Sequence, residues 1–125
     1  MEDEAYARYV AINLPHARTI AGRIARTVEA MSGSTDLPEG VLGPLDDLER
    51  ELQEYAEDPA LAEALLAADT VANRGRSLVA ALLESGLRGD RLGRHIRNLF
   101  ECLGLAEEGA TLSLECGEDP ASLLR

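Results

Sequence analysis

The fold is decided by residues 44–103, PLDDLERELQEYAEDPALAEALLAADTVANRGRSLVAALLESGLRGDRLGRHIRNLFECL. Apolar side chains recur in this block at steps of three and four residues, the period of an amphipathic helix. An Asp-Pro pair at 58–59 and a Ser-Gly pair at 85–86 are typical helix boundaries, and Gly104 follows the last apolar position. The block therefore predicts three consecutive helices, with an optional further break at Gly75.

The residues before this block predict a helical segment and a loop. An apolar stripe at helical spacing runs from residue 17 to residue 31. Pro15 disfavours helical geometry just before it, so residues 1–31 form either a helix pair or one kinked helix. Residues 32–43 are rich in glycine and are predicted as a loop, with the next helix starting at Pro44.

The residues after the block show a different period. Leu112 and Leu114 alternate with polar neighbours, which indicates a strand that could pair with residues 105–107. We therefore expect residues 104–125 to be a hairpin or an irregular tail. The whole chain, residues 1–125, is predicted to be one mainly α domain, a small bundle of four to six helices with a short C-terminal β-hairpin as an optional addition.

Composition limits the class of protein. Hydrophobic residues make up 46% of the chain and aromatic residues 3%, a composition that favours closely packed helices over a β-sandwich. The acidic N-terminus does not resemble a signal peptide, and no apolar run approaches the roughly 18 residues of a membrane span. Cys102 and Cys116 are too few for a disulfide framework. We expect a cytoplasmic protein that binds no membrane, cofactor or metal.

Charge is distributed unevenly along the chain. Residues 36–69 hold eleven acids and one Arg, a net charge of -10, whereas residues 70–99 have a net charge of +4. In one interpretation the acids face solvent or neutralise the arginines within the fold or across a dimer. In the other, the basic segment binds an anion or a nucleic acid. The candidate residues for this second role are Arg88, Arg91, Arg94, His95, Arg97 and Asn98.

Residues 77–116 contain a sequence pattern that is found in some DNA-binding domains. A helix ends in ESGL at 84–87, a turn follows, the next helix reads DRLGRHIRNL at 90–99, and a predicted hairpin comes last. This pattern resembles the second half of a winged helix-turn-helix domain, whose second helix enters the major groove. The resemblance implies phosphate contact by Arg88 and groove contact by Arg91, Arg94, His95 and Asn98. The predicted wing departs from the family because it carries no basic residue.

A second pattern concerns Arg88 and His95, which have six residues between them in a short helical chain. This spacing resembles the Arg and His motif of the helical HEPN ribonucleases. The resemblance implies that His95 acts as base or orients the nucleophile, and that Arg88 stabilises charge. Gly89 departs from the family, which has a polar residue after the Arg.

The function that the sequence favours is non-enzymatic binding of another protein. Leu45, Leu48, Leu52 and Tyr55 follow one another at coiled-coil-like spacing and are candidate interface residues, for a protein partner or a homodimer. The same seam could equally lie in the interior. We expect an adaptor, a regulator, an immunity protein or a small subunit of an assembly.

Overall fold

The computed structural model describes the backbone of residues 2–33, 37–56 and 61–121, and the side chains of residues 16–33, 37–53 and 69–121. Within these ranges the chain forms five α-helices and no strand: α1 (Glu2–Ser32), α2 (Glu39–Ala56), α3 (Leu61–Glu84), α4 (Asp90–Cys102) and α5 (Ala106–Glu115). The prediction of a small, mainly α bundle is confirmed. None of the helices in the described part of the chain is long and apolar enough to cross a membrane.

Helix α1 is the central element, because it packs against α2, α3 and α4. Its apolar stripe is buried from Ala17 to Val28, whereas Met31 at the end of the stripe is 37% exposed. The buried members, each at most 2% exposed, are Ala17, Ile20, Ala21, Ile24 and Val28. The backbone stays helical through Pro15, so the structure has one long helix, Glu2–Ser32, rather than a pair. Helices α2 and α3 also pack against each other, and α5 packs against α4.

Helix α2 begins earlier than predicted, so residues 39–43 are not a loop. Pro38 marks the start, since its carbonyl accepts hydrogen bonds from the N–H groups of Val41 at 2.9 Å and Leu42 at 3.1 Å. Val41 is fully buried and extends the leucine seam by one turn towards the N-terminus. The burial of Val41 offsets the poor helix propensity of the glycines in this turn, and Pro44 is tolerated inside the helix.

Helix α3 is continuous through Gly75, so the optional break there does not occur. Gly75 is buried beneath Phe100, the single Phe of the chain. A Cβ atom on residue 75 would come within 3.1 Å of the Phe100 ring. The glycine therefore lets the ring of α4 pack closely on the backbone of α3.

The prediction of a C-terminal β-hairpin is wrong, because residues 106–115 form helix α5. Gly109, Ser113 and Cys116 are buried at steps of four and three residues, the period of a helix. Leu114, which the strand would have placed inside with Leu112, is instead 42% exposed. An alternation of only two leucines was too short to distinguish a strand from a helix.

Candidate anion-binding site

The leucine seam lies inside the bundle. Leu45, Leu48 and Leu52 are at most 4% exposed and belong to the hydrophobic core, the interior position that the sequence had left open. Tyr55 is in α2, but its side chain lies outside the described residues. A partner could reach these three leucines only if the bundle opened, so a contact surface has to be sought elsewhere.

Two arginines of α3 are held by carboxylates from other helices. Arg74 lies 3.4 Å from the Asp47 carboxylate and 3.7 Å from that of Glu51, both on α2. Arg76 donates through two nitrogens to the carboxylate of Glu108 on α5, and the contact from Nη2 measures 2.6 Å. This pairing lowers the pKa of the Glu108 carboxyl. Part of the charge separation along the chain is therefore neutralised within the fold.

Arg97, one of the candidate anion-binding residues, is also paired internally. Its Nε donates to both carboxylate oxygens of Glu118 at 3.0 Å, and its Nη2 lies 2.8 Å from one of them. The Glu118 side chain is fully buried. Glu101 adds a fourth contact, at 3.3 Å from Nη1. Arg97 therefore fastens the segment after α5 to α4, and its charge is balanced within the fold.

The surface expected of a winged helix is incomplete. Helix α5 occupies the predicted position of the wing. Arg94 is exposed but lies 3.2 Å from the Asp90 carboxylate, one turn earlier on the same helix. Asn98 is half-buried. Of the residues that the resemblance placed in the groove, Arg91 and His95 instead line a cleft against α1.

This cleft, the α1–α4 cleft, lies between the last turns of α1 and the first turns of α4. Its volume is about 850 Å³ and it is open to solvent. Helix α1 supplies Arg23, Arg26, Thr27, Ala30 and Met31. The turn before α4 and the helix itself supply Arg88, Gly89, Asp90, Arg91, Leu92 and His95.

Four arginines line the cleft, and we call Arg23, Arg26, Arg88 and Arg91 the cleft arginines. No ion pair among the described residues involves any of them. Asp90, the one acid among the described lining residues, has its carboxylate engaged elsewhere. It accepts a hydrogen bond from the Asp119 N–H at 2.8 Å and pairs with Arg94. The cleft therefore concentrates positive charge on a protein whose net charge is -11.

His95 lies in this positive environment. Its Nε2 atom is shielded from solvent and has no hydrogen-bond partner among the described residues. Burial lowers the pKa of the imidazole, and the positive charges of nearby arginines lower it further. These arginines are Arg91, Arg23, Arg94 and Arg26. The neutral ring is therefore favoured at neutral pH, and its Nε2 is a polar atom for which the fold supplies no partner.

The depressed pKa of His95 predicts a pH dependence of stability. The unfolded chain binds a proton at this ring more readily than the folded protein does, so stability falls as the pH drops from about 8 to about 6. Urea unfolding across this range is expected to show a smaller decline for His95→Gln than for the wild type. His16→Gln, which changes the exposed histidine of α1, is the control and should retain the wild-type decline. Equal declines in all three proteins would contradict the prediction.

The described residues show neither a metal-binding cluster nor an activated cysteine. No group of three or more His, Cys, Asp or Glu side chains among them could hold a metal ion. Burial raises the pKa of the Cys116 thiol to about 11, and it also raises that of Cys102. Both thiols are therefore protonated at neutral pH and are poor nucleophiles.

The structure brings together the two residues of the ribonuclease resemblance. Arg88 and His95 both line the α1–α4 cleft, although Arg88 lies in the turn before α4 and His95 in the second turn of the helix. A neutral imidazole can accept a proton, and a guanidinium can stabilise an anion. The same pair equally suits the binding of an anion without reaction.

Arg23 and Arg26 were not among the sequence candidates. They lie three residues apart on α1 and off its apolar stripe, which indicates only that they face away from the core. Their proximity to Arg88 and Arg91 follows from the packing of α1 on α4, a contact between segments more than sixty residues apart in the chain.

Comparison with known proteins gives no relative from which a function could be transferred. No protein-family model matches the chain, and neither curated proteins nor solved structures give a significant match.

Proposed function

We propose that this protein binds another protein without catalysing a reaction, and that its contact site is the α1–α4 cleft. The proposed roles are an adaptor, a regulator, an immunity protein or a small subunit of an assembly. The proposed occupant is an acidic segment of a partner protein. The single observation that carries the proposal is the convergence of the cleft arginines in one open cleft, with no ion pair to a described residue.

The charge distribution supports a short acidic segment over an extended polyanion. Outside the cleft, Arg74, Arg76 and Arg97 are already paired with carboxylates. The net charge of -11 repels the parts of a nucleic acid that would extend past the cleft. A peptide with a few carboxylates can place all of them within the basic region.

The cleft also offers apolar contact beside its charges. Met31, at the end of α1, is 37% exposed and lines the cleft together with Ala30. A flexible thioether adapts to apolar side chains of different shapes. The cleft therefore suits a segment in which acidic and apolar residues alternate.

Charge reversal in the cleft is expected to weaken binding. The probe is a fluorescein-labelled peptide of alternating Glu and Leu residues, and Gln replaces Glu in the neutral control peptide. We expect fluorescence anisotropy to show binding of the acidic peptide only, with about tenfold lower affinity for Arg91→Glu. The affinity should fall as salt is added.

The matched control is Arg50→Glu, which makes the same charge change at an exposed position of α2, where Arg50 pairs with Asp47. It should bind the acidic peptide nearly as well as the wild type. Equal losses in Arg50→Glu and Arg91→Glu would show that net charge, and not the cleft, governs binding.

The ribonuclease is the second candidate, because Arg88 and His95 share the cleft. A ribonuclease is distinguished from a binding protein by the RNA fragments that it releases. Cleavage of single-stranded RNA by the wild type, lost in a folded His95→Ala variant, would replace binding with catalysis as the function of this cleft.

A further inference from the structure

We infer that the group bound by the cleft arginines is a phosphate monoester carried on the partner's acidic segment, so that phosphorylation of the partner controls its binding. This inference rests on the proposed function and specifies the chemistry of the same site. Three features of the cleft support it: its excess of positive charge, the kind of donors that it presents, and the position of His95.

The cleft holds more positive charge than a single carboxylate can balance. Its described lining residues include four arginines and one acid, and that acid, Asp90, already pairs with Arg94 and with the Asp119 N–H. At one position of the acidic segment, a carboxylate neutralises one guanidinium and leaves the other three to further acidic residues. A phosphate monoester carries a charge of about -1.5 to -2 at neutral pH, which matches the excess more closely.

The donors also match the shape of a phosphate. A guanidinium presents N–H groups in a planar fork that can bind two phosphate oxygens at once, and three such oxygens are available on a monoester. The cleft arginines come from α1 on one side and from the turn before α4 and its first residues on the other, so they can approach one group from two sides. The first turn of α4 adds N–H groups that no side chain caps.

His95 makes the site responsive to a bound dianion. Its Nε2 lacks a partner among the described residues, and positive charges from both helices face its ring. Arg23 and Arg26 are the charges on α1, and on α4 they are Arg91 and Arg94, of which Arg94 also pairs with Asp90. A dianion in the cleft offsets this positive field, so binding should raise the pKa of His95 and favour uptake of a proton.

The test uses one acidic peptide in three forms, which carry phosphoserine, glutamate or serine at a single position. Isothermal titration with the full chain is expected to show at least about tenfold tighter binding of the phosphoserine form than of the glutamate form. Arg91→Lys keeps the charge but removes the planar fork, and it should reduce this preference several-fold. Arg50→Lys, on α2, is the matched control and should leave the preference unchanged.

A second readout follows the two imidazole rings by NMR during a pH titration. Addition of the phosphoserine peptide should raise the pKa of His95, and the exposed His16 supplies the reference signal in the same sample. An unchanged His95 titration with the peptide bound would overturn the inference, because the phosphate would then lie outside the cleft.

The remaining outcomes separate this inference from the function on which it rests. Equal affinity for the phosphoserine and glutamate forms would overturn the inference and leave an acidic-segment site. If none of the three peptides binds, both proposals fail. Inorganic phosphate that binds as tightly as the phosphoserine peptide would identify a free phosphate compound as the ligand. Tighter binding of a single-stranded RNA would identify nucleic acid, and either result would overturn the inference.

Discussion

The variant Arg97→Met is expected to lose about 3 kcal/mol in free energy of unfolding, because it leaves the Glu118 carboxylate buried without a counter-charge. Glu118 is fully buried, and Arg97 supplies three contacts to its two oxygens at 2.8–3.0 Å. We place the loss at the lower end of the usual range for a broken buried pair because 21% of the Arg97 side chain is exposed and admits some water. Urea unfolding followed by circular dichroism measures this loss.

Two further variants test whether the loss in stability comes from an unpaired buried charge or from lost packing. Arg76→Met breaks a pair that is partly exposed on both sides and should cost less than about 1 kcal/mol. The double variant Arg97→Met/Glu118→Met removes both charges and should be more stable than Arg97→Met alone. If the double variant were the less stable of the two, the loss would come from packing and not from the unpaired carboxylate.

The second large effect is expected for Gly93→Ala, which should lose about 3 kcal/mol because α4 and α5 cannot both keep their positions. A Cβ atom at residue 93 would lie 2.6 Å from the carbonyl oxygen of Ser113 and 2.7 Å from the backbone nitrogen of Glu118. Both are backbone atoms, and they are hydrogen-bonded to each other at 2.9 Å. No side-chain rotation can therefore relieve the overlap.

Gly40→Ala is the matched control for Gly93→Ala. Gly40 lies in the exposed part of α2, where an added Cβ would meet nothing within 4 Å, and no proline follows it. Alanine favours the helical backbone, so this variant should gain roughly 0.5–1 kcal/mol. Thermal unfolding of the two variants should shift in opposite directions, and a loss in both would mean that the glycines act through something other than the space around them.

Repeated patterns along the chain were sufficient to predict most of the helices. The stripe of α1 and the leucines of α2 recur over several turns, and a long amphipathic period has no competing interpretation. Shorter patterns were ambiguous. The two leucines of α5 fitted a strand as well as a helix, and the glycines before Pro44 concealed the first turn of α2.

The candidate site was predicted only in part. The sequence identified Arg88, Arg91 and His95, and the structure places them in one cleft. It could not identify Arg23 and Arg26 as their neighbours, nor Glu118 as the partner of Arg97, since both relations depend on which helices pack together. Helix period shows which side of a helix turns inward, but it does not identify the element on the other side of the contact.

The sequence by itself determined that this protein is a helical bundle whose charges are segregated along the chain. Local periodicity and capping residues are sufficient for that, because each acts within a few residues. Only the tertiary structure decided which charges remain available. Packing pairs Arg74 and Arg76 with carboxylates from other helices, and Arg97 with Glu118 in the segment after α5. It also gathers the cleft arginines between α1 and α4. Such contacts between distant segments follow from the burial of apolar faces.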